Sequence, residues 1–388
     1  MTLGSGSPLT DQELLISQAA QLDVGAGYPN LEIPPWMREI IKDNSDFDLT
    51  YGFSPQVSNK AVRQLTSDLL VAACDLLGLQ RDFSDNGFVT FSGSAALNRT
   101  VETLVETGRT VISSSPTIDI IPGMIRERSG ARAIYVPTKA GFDIDLNRIG
   151  EMISETTDCI ILTSPDNPSG NVVSESDLTE IANLARDHGV TLVVDQCFAL
   201  IDPFATGIPL LPRIAPEGLS WVFIWDTGKT FGLNEDKLGF LFCSEDLKAR
   251  LSQSLNVLQF DVSRRLKIMF RRIFTEAIRR DYPSFLSNRV RSNIELAEEA
   301  CAGTGLRPIR PDAGSFLLLD VTQSRYSADE LCRRLLMKHG LGLIRTNSFF
   351  QPDHNGAMAD DHDTYVRVAM AREEVVIRTA FSRIAAAV

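Results

Sequence analysis

The sequence predicts an α/β fold: a mostly parallel central sheet with helices on both faces, joined to a smaller α+β domain. Three observations predict it. Between Lys60 and Arg250, apolar runs of strand length alternate with amphipathic segments. The runs are continuously apolar, as strands buried on both faces must be. After Ser244 the pattern changes to long helices and then to a second, shorter set of strands and helices.

In chain order, residues 1–49 carry one helix from about Thr10 and a Gly/Pro-rich stretch, "DVGAGYPNLEIPPW", read as an irregular arm that belongs to the small domain and covers the site. Residues 50–260 form the large domain. "GFVTFSG" is a strand followed by a helix from about Ala95, and "TVISSSP", "RAIYVP", "CIILTSP" and "VTLVVD" are further β-branched strands. "SESDLTEIANLARDHG" is a helix with Ser174 and Asp177 as a capping box and Gly189 as its stop. "SWVFIWDT" and "KLGFLFCS" are the last strands of this domain. Residues 261–388 form the small domain, with strands at "GSFLLLDV", "LGLIRT" and "YVRVAMA", a helix near Ala328–His339 and a closing helix.

The chain has 388 residues, 44% of them apolar, and a formal net charge of −12. An acidic chain without a basic block argues against nucleic acid as the main partner. Six cysteines form no CxxC pair and four histidines are scattered, so no metal site is expected. No secretory leader and no apolar run long enough to span a bilayer is read, which points to a cytoplasmic protein.

The residues that carry chemistry stand at strand C-terminal ends, where ligands of such sheets gather. "SPDNPSG", "DQCF" and "DTGK" each follow an apolar run, and "SGSAAL" lies between a strand and a helix. A lysine closing an apolar strand, as Lys229 does, is a poor choice unless its amine has a task. A turn lysine is the ordinary alternative. Gly93, Ser94 and Ala95 place small residues at a helix N-terminus, which suits an anion.

This ordered set resembles the fold-type I, pyridoxal 5′-phosphate (PLP) dependent enzymes of aminotransferase class I/II, over nearly the whole chain. The resemblance rests on Asn167–Gly170, Asp195, Lys229 and a cation eight residues later, Lys237. It implies that Lys229 links the cofactor and shuttles protons at the substrate α-carbon. It implies further that Asp195 pairs with the pyridine nitrogen and Asn167 bonds the phenolic oxygen O3′. Gly93, Ser94, Ala95 and Lys237 hold the phosphate, with Lys237 a point charge where most relatives have an arginine. Tyr51 matches a tyrosine that reaches the phosphate of the neighbouring subunit, which implies a homodimer. Arg367 matches the arginine for the substrate α-carboxylate, where the plain alternative is an edge-strand arginine.

Three positions depart from that pattern. Phe198 replaces a tyrosine that donates to O3′, Ile118 replaces a ring-stacking aromatic, and Asp226 replaces a phosphate-binding serine. A carboxylate repels a phosphate dianion, so Asp226 is expected to point elsewhere or to meet a cation. A narrower resemblance, to the PLP- and O2-dependent L-arginine oxidases and hydroxylases of peptide-antibiotic biosynthesis, accounts for Phe198 and the Asp-Thr-Gly-Lys run. It places Glu13 and Asp226 toward a cationic substrate side chain. Those enzymes carry Asp-Gly-His in the arm, where this chain has Ala26, Gly27 and Tyr28. The expectation is oxidation of a free cationic amino acid by O2 through a quinonoid, as oxidative deamination or hydroxylation. The alternatives are an ordinary aminotransferase with a 2-oxo acid acceptor, or cyclase or lyase chemistry on the same fold.

Overall fold

A computed structural model describes residues 8–43, 55–127, 130–259, 261–359 and 362–388. The chain begins with α1 (Pro8–Ala19), β1 (Leu22–Asp23), α2 (Pro35–Lys42) and α3 (Pro55–Leu77). Next come β2 (Gly87–Thr90), α4 (Gly93–Leu104), β3 (Thr110–Ser115), α5 (Ile120–Glu127) and β4 (Arg132–Pro137). These are followed by α6 (Leu146–Met152), β5 (Thr157–Thr163), α7 (Glu175–Asp187), β6 (Thr191–Asp195) and α8 (Leu211–Ile214). Then follow β7 (Trp221–Asp226), α9 (Thr227–Phe231), β8 (Gly239–Cys243), α10 (Glu245–Leu258), α11 (Arg264–Arg279) and α12 (Tyr282–Cys301). The last part holds β9 (Arg307–Ile309), β10 (Phe316–Asp320), α13 (Ala328–His339), β11 (Leu341–Gly342), β12 (Ile344–Arg345), β13 (Tyr365–Ala369) and α14 (Glu374–Ala387).

Seven strands make the large sheet, in the order β2-β8-β7-β6-β5-β3-β4. The pairs β3–β4, β3–β5, β5–β6 and β6–β7 are parallel, and β8 runs against both β7 and β2. The mostly parallel sheet expected from the continuous apolar runs is therefore present, with β8 reversed. Both of its faces are dry. Ile160, Leu162, Leu192, Val194, Phe223 and Trp225 pack in one apolar cluster. Their chain neighbours Cys159, Ile161, Val193, Val222 and Ile224 pack in another. Period-two alternation thus divides each strand between two cores, which is why no polar face shows in the sequence.

A four-stranded antiparallel sheet, β12-β13-β10-β9, and the parallel pair β1-β11 build the smaller unit. Its core joins α12, α13 and α14 to these strands through Val290, Ile294, Leu331, Leu335, Val366, Val368 and Phe381. The boundary read from the sequence was 260/261. Helix α11 lies beyond it, yet Met269, Phe270, Ile273 and Phe274 pack in the first cluster of the large sheet.

Capping differs in detail from expectation. Ser174 accepts from Asp177 N at the start of α7, while the reciprocal capping box forms at α13 between Ser327 and Glu330. Helix α4 begins at Gly93, two residues before the expected start, because Ser92 caps it through Ala95 N. No helix among the described residues is long and apolar enough to cross a membrane. No group of three or more His, Cys, Asp or Glu among them is placed to hold a metal ion.

Candidate active site

Strand β7 ends in Asp226, and the next residues turn at once into the short helix α9, which carries Lys229. Asp226 is the N-cap. One of its oxygens accepts from Gly228 N at 2.7 Å and the other from Gly93 N at 2.7 Å. The carboxylate therefore ties the lysine helix to the first turn of α4. Asp226 was expected to point away from the phosphate or to meet a cation, such as a substrate side chain, and here both its oxygens are held by backbone N–H groups. That use removes the puzzle of an acid beside a phosphate site, since a carboxylate is a strong helix N-cap. Gly232 closes α9 at φ 69°, a left-handed geometry that suits glycine.

Lys229 faces a cavity of about 210 Å³ lined also by Glu13, Tyr28, Asn167, Asp195 and Arg367. Of the other residues expected there, Ser94, Ile118, Phe198, Asp226 and Lys237 line the same cavity. Tyr51 lies outside the described residues. A larger groove of about 790 Å³ between α2, α3 and α11 lies apart from these residues. Its charges pair with one another, as Arg272 with Asp43 and Arg271 with Asp68.

Asp195 ends β6 and is buried, with Oδ1 accepting from Cys197 N at 3.0 Å. Burial raises its carboxyl pKa, against the hydrogen bonds to Cys197. A cation opposite it would keep it ionised. Burial likewise lowers the pKa of the Lys229 amine, while Asp226 and Cys197 oppose the shift and Lys237 and Arg367 add to it. A lowered amine pKa enlarges the neutral fraction able to attack a carbonyl or accept a proton.

Arg367 is on β13, an inner strand of the small sheet, so the edge-strand alternative is excluded. It is 1% exposed. Its guanidinium donates to Asn167 Oδ1 at 2.7 Å and Gly25 O at 2.8 Å. It lies 4.5 Å from the Phe316 ring centroid and 4.9 Å from that of Phe349. Burial lowers its pKa to about 10, so it stays charged at neutral pH. Its bond to Asn167 leaves the amide nitrogen of Asn167 free to donate elsewhere.

The loop that presents Asn167 is held by a residue that sequence reasoning missed. Asp166 is half-buried and accepts from Thr163 Oγ1 and Ser169 Oγ, each at 2.7 Å. The signal was the turn chemistry of Asp-Asn-Pro-Ser-Gly. Gly170 has φ +73°, and a Cβ there would come within 2.4 Å of Pro311 and 2.7 Å of Ala313 O.

At the N-terminus of α4 the anion donors are fewer than expected. Gly93 N and Ala95 N donate to Asp226 and Ser92 Oγ. These two were expected to serve a phosphate; within the protein they serve the cap and the lysine helix. Ser94 stands between them and lines the cavity with Lys237. Phe198 is buried edge-to-face on Phe316 at 5.2 Å, with no hydroxyl to offer. Ile118 lines the cavity as an aliphatic wall.

The arm supplies the remaining wall. Arg372, 2% exposed, donates to the carbonyls of Tyr28 and Ala26. Asp23 Oδ1 accepts from Gly25 N at 2.7 Å. Nothing in the local sequence marked Arg372, because its partners lie more than 340 residues away. Glu13 from α1 is half-buried. Burial raises its pKa, as does Asp119, while Arg367 opposes the shift.

A half-buried lysine, a buried acid at a neighbouring strand end and an arginine–asparagine pair on one cavity define a PLP-enzyme site of fold type I. The family model for aminotransferase class I and II matches residues 19–384, and the chain belongs to that family. Human kynurenine–oxoglutarate transaminase 1 is 23% identical over 420 aligned residues, covering 96% of this chain and 93% of that protein. The probable N-acetyl-LL-diaminopimelate aminotransferase of Bacillus subtilis is 22% identical over 83% of this chain and 80% of its own length. Among solved structures, N-succinyldiaminopimelate aminotransferase from Mycobacterium tuberculosis superposes with a TM-score of 0.85 at 19% identity, covering 99% of this chain and 98% of that one. YbdL from Escherichia coli, reported with a methionine aminotransferase function, has a TM-score of 0.81 at 20% identity, over 99% of this chain and 97% of that one.

The protein is a PLP-dependent enzyme of this family. Its residues fit the cofactor: a lysine with a lowered pKa for an aldehyde, a buried carboxylate for a ring cation, and a serine and lysine for a phosphate.

Proposed function

We propose that this enzyme is an aminotransferase that acts on a free α-amino acid with a 2-oxo acid as acceptor. The observation that carries the reading is the convergence of Lys229, Asp195, Asn167 and Arg367 on one cavity. When bound, PLP supplies a carbonyl for amines and a ring that accepts electrons from the bond broken at the substrate α-carbon. The rest of the work falls to the chain. Asp195, ionised against the ring cation, keeps that ring an electron acceptor. Asn167, fixed by Arg367, donates its amide N–H to O3′. Arg367 retains donor capacity for the substrate α-carboxylate, since Nη1 and Nη2 each carry a second N–H beyond those given to Asn167 and Gly25. Lys229, displaced by substrate, takes the α-proton and returns it on the other side of the exchange. Lys237 and Ser94 hold the phosphate end. A second copy of the chain, contributing Tyr51, belongs to the same reading.

The cavity also holds two acids within the field of Arg367. Glu13 and Asp119 face the cavity together, and a cationic substrate side chain would relieve their mutual repulsion. That supports a basic amino acid as substrate.

Phe198 favours a second reading, O2-dependent oxidation of the same substrate. Without a phenol at the end of β6, O3′ keeps more negative charge, which makes electron loss to O2 easier. One experiment separates the two. The PLP-loaded protein is given a panel of amino acids with and without 2-oxo acids, while O2 uptake and new amino acid are both measured. Amino transfer only when 2-oxo acid is present supports the first reading. Sustained O2 uptake without it supports the second, and Phe198→Tyr then lowers the ratio of uptake to transfer. A wild type that neither colours with PLP nor turns over sinks both.

A further inference from the structure

The phenol that strand β6 lacks has a counterpart on the arm. Tyr28 is the one tyrosine lining the cavity among the described residues. Its ring centroid lies 4.3 Å from Lys229 Nζ and 6.0 Å from Lys237 Nζ. The side chain is 40% exposed, so burial alone does not dictate a tyrosine here. The backbone beneath it is fixed: Arg372 holds the carbonyls of Ala26 and Tyr28, and Arg367 holds that of Gly25. A chain segment without regular structure is thus pinned by two buried arginines so that one ring faces one amine.

We infer that Tyr28 is a positioning residue for Lys229, its aromatic face holding the amine in the cavity and favouring its charged form until a carbonyl captures it. The contact is within the range in which a ring quadrupole attracts an ammonium. It opposes the burial that lowers the amine pKa. The other charged or titratable groups on the amine's cavity among the described residues are Asp226 at the cap of its own helix, Asp195 and Cys197 from the end of β6, Lys237 before β8, Arg367 on β13, Glu13 on α1 and Asp119 before α5. Tyr28, like the Cys197 thiol and unlike the rest, acts without a charge of its own, since burial raises the pKa of both groups. The meaning of this contact for catalysis rests on the reading of Lys229 as the cofactor lysine. The contact itself does not.

The test uses the full chain freed of PLP. Competitive labelling with acetic anhydride across a pH series, read on the Lys229 peptide by mass spectrometry, gives the midpoint at which this amine becomes reactive. Tyr28→Phe keeps the ring and is expected to keep the wild-type midpoint. Tyr28→Leu keeps apolar bulk over the amine without the π-face, and its midpoint should fall by about half a pH unit or more. The pH profile for capture of PLP, followed by absorbance, should move the same way for Leu and stay for Phe. Tyr28→Leu with the wild-type midpoint, or Tyr28→Phe moving with Leu, overturns the inference. A wild type whose Lys229 labels normally but never binds PLP would instead overturn the functional reading, leaving the ring contact to be judged by its midpoints.

Discussion

The sheet side of the cavity and the arm side are held in opposite ways. On the sheet side, Asp195 and Asp226 end strands whose neighbours are set by ladder hydrogen bonds, Asp195 opposite both Thr163 and Ile224. Each functional residue lies one short turn from a strand end, so its place follows from the sheet. On the arm side there is no ladder between Val24 and Pro34 beyond a single bridge at Asn30. There, order comes from Arg367 and Arg372 donating to carbonyls of residues 25, 26 and 28. Regular structure positions the sheet-side wall of the cavity, and two side chains position the arm-side wall. The first arrangement rests on many ladder bonds; the second rests on the bonds of two side chains.

The largest effect should come from Lys229→Ala on the sheet side. Turnover is expected to fall by roughly 10³-fold or more, as for loss of a general base, with normal folding by circular dichroism. Retained turnover would show that the site is built around another group. Arg372→Met addresses the arm. It removes charged donors from half-buried carbonyls, costing about 2–3 kcal/mol in urea unfolding. It should also raise KM more than it lowers kcat. If KM is unchanged, the arm does not order the substrate side. Gly170→Ala returns to the sheet side, where φ +73° and the close Pro311 and Ala313 leave no room. We expect about 1–2 kcal/mol lost, with a melting curve as the check.

The smallest effect concerns charge. Burial lowers the Lys229 pKa below its ordinary 10.5. Between the folded value and 10.5 the unfolded chain binds the proton more than the native one does, so this residue makes stability rise with pH through that window. PLP-free Lys229→Met should therefore melt slightly above PLP-free wild type at neutral pH, with the gap closing as pH approaches 10.5. A gap independent of pH would assign the difference to packing.

The same contrast explains what could be read in advance. The β6 and β7 runs, Val190–Asp195 and Trp221–Asp226, showed both their strand character and the strand ends that carry chemistry, because a doubly buried strand writes itself as an unbroken apolar run. Asn167 and Arg367 were legible through the motifs that carry them. The tie from Asp226 to helix α4 was not, because its acceptor bond to Gly93 joins residues 133 apart. Arg372 and Tyr28 were hidden for the same reason: their partners are distant in sequence and their local surroundings are ordinary. The α11 packing was missed because an amphipathic helix shows that it has an apolar face without naming the core it joins.

The division of β7 between two cores has one more consequence. One face receives Phe223 and Trp225, the other Val222 and Ile224. The two faces thus differ in bulk, and the strand carries a built-in sense of up and down. Sliding it by one residue would force an indole into a space shaped for an isoleucine and leave a void where the indole had been. It would also carry the amine of Lys229 about 3.3 Å along the sheet. The tolerance on where this amine sits in the cavity is thereby set several residues upstream, by the volumes of side chains buried in the two cores.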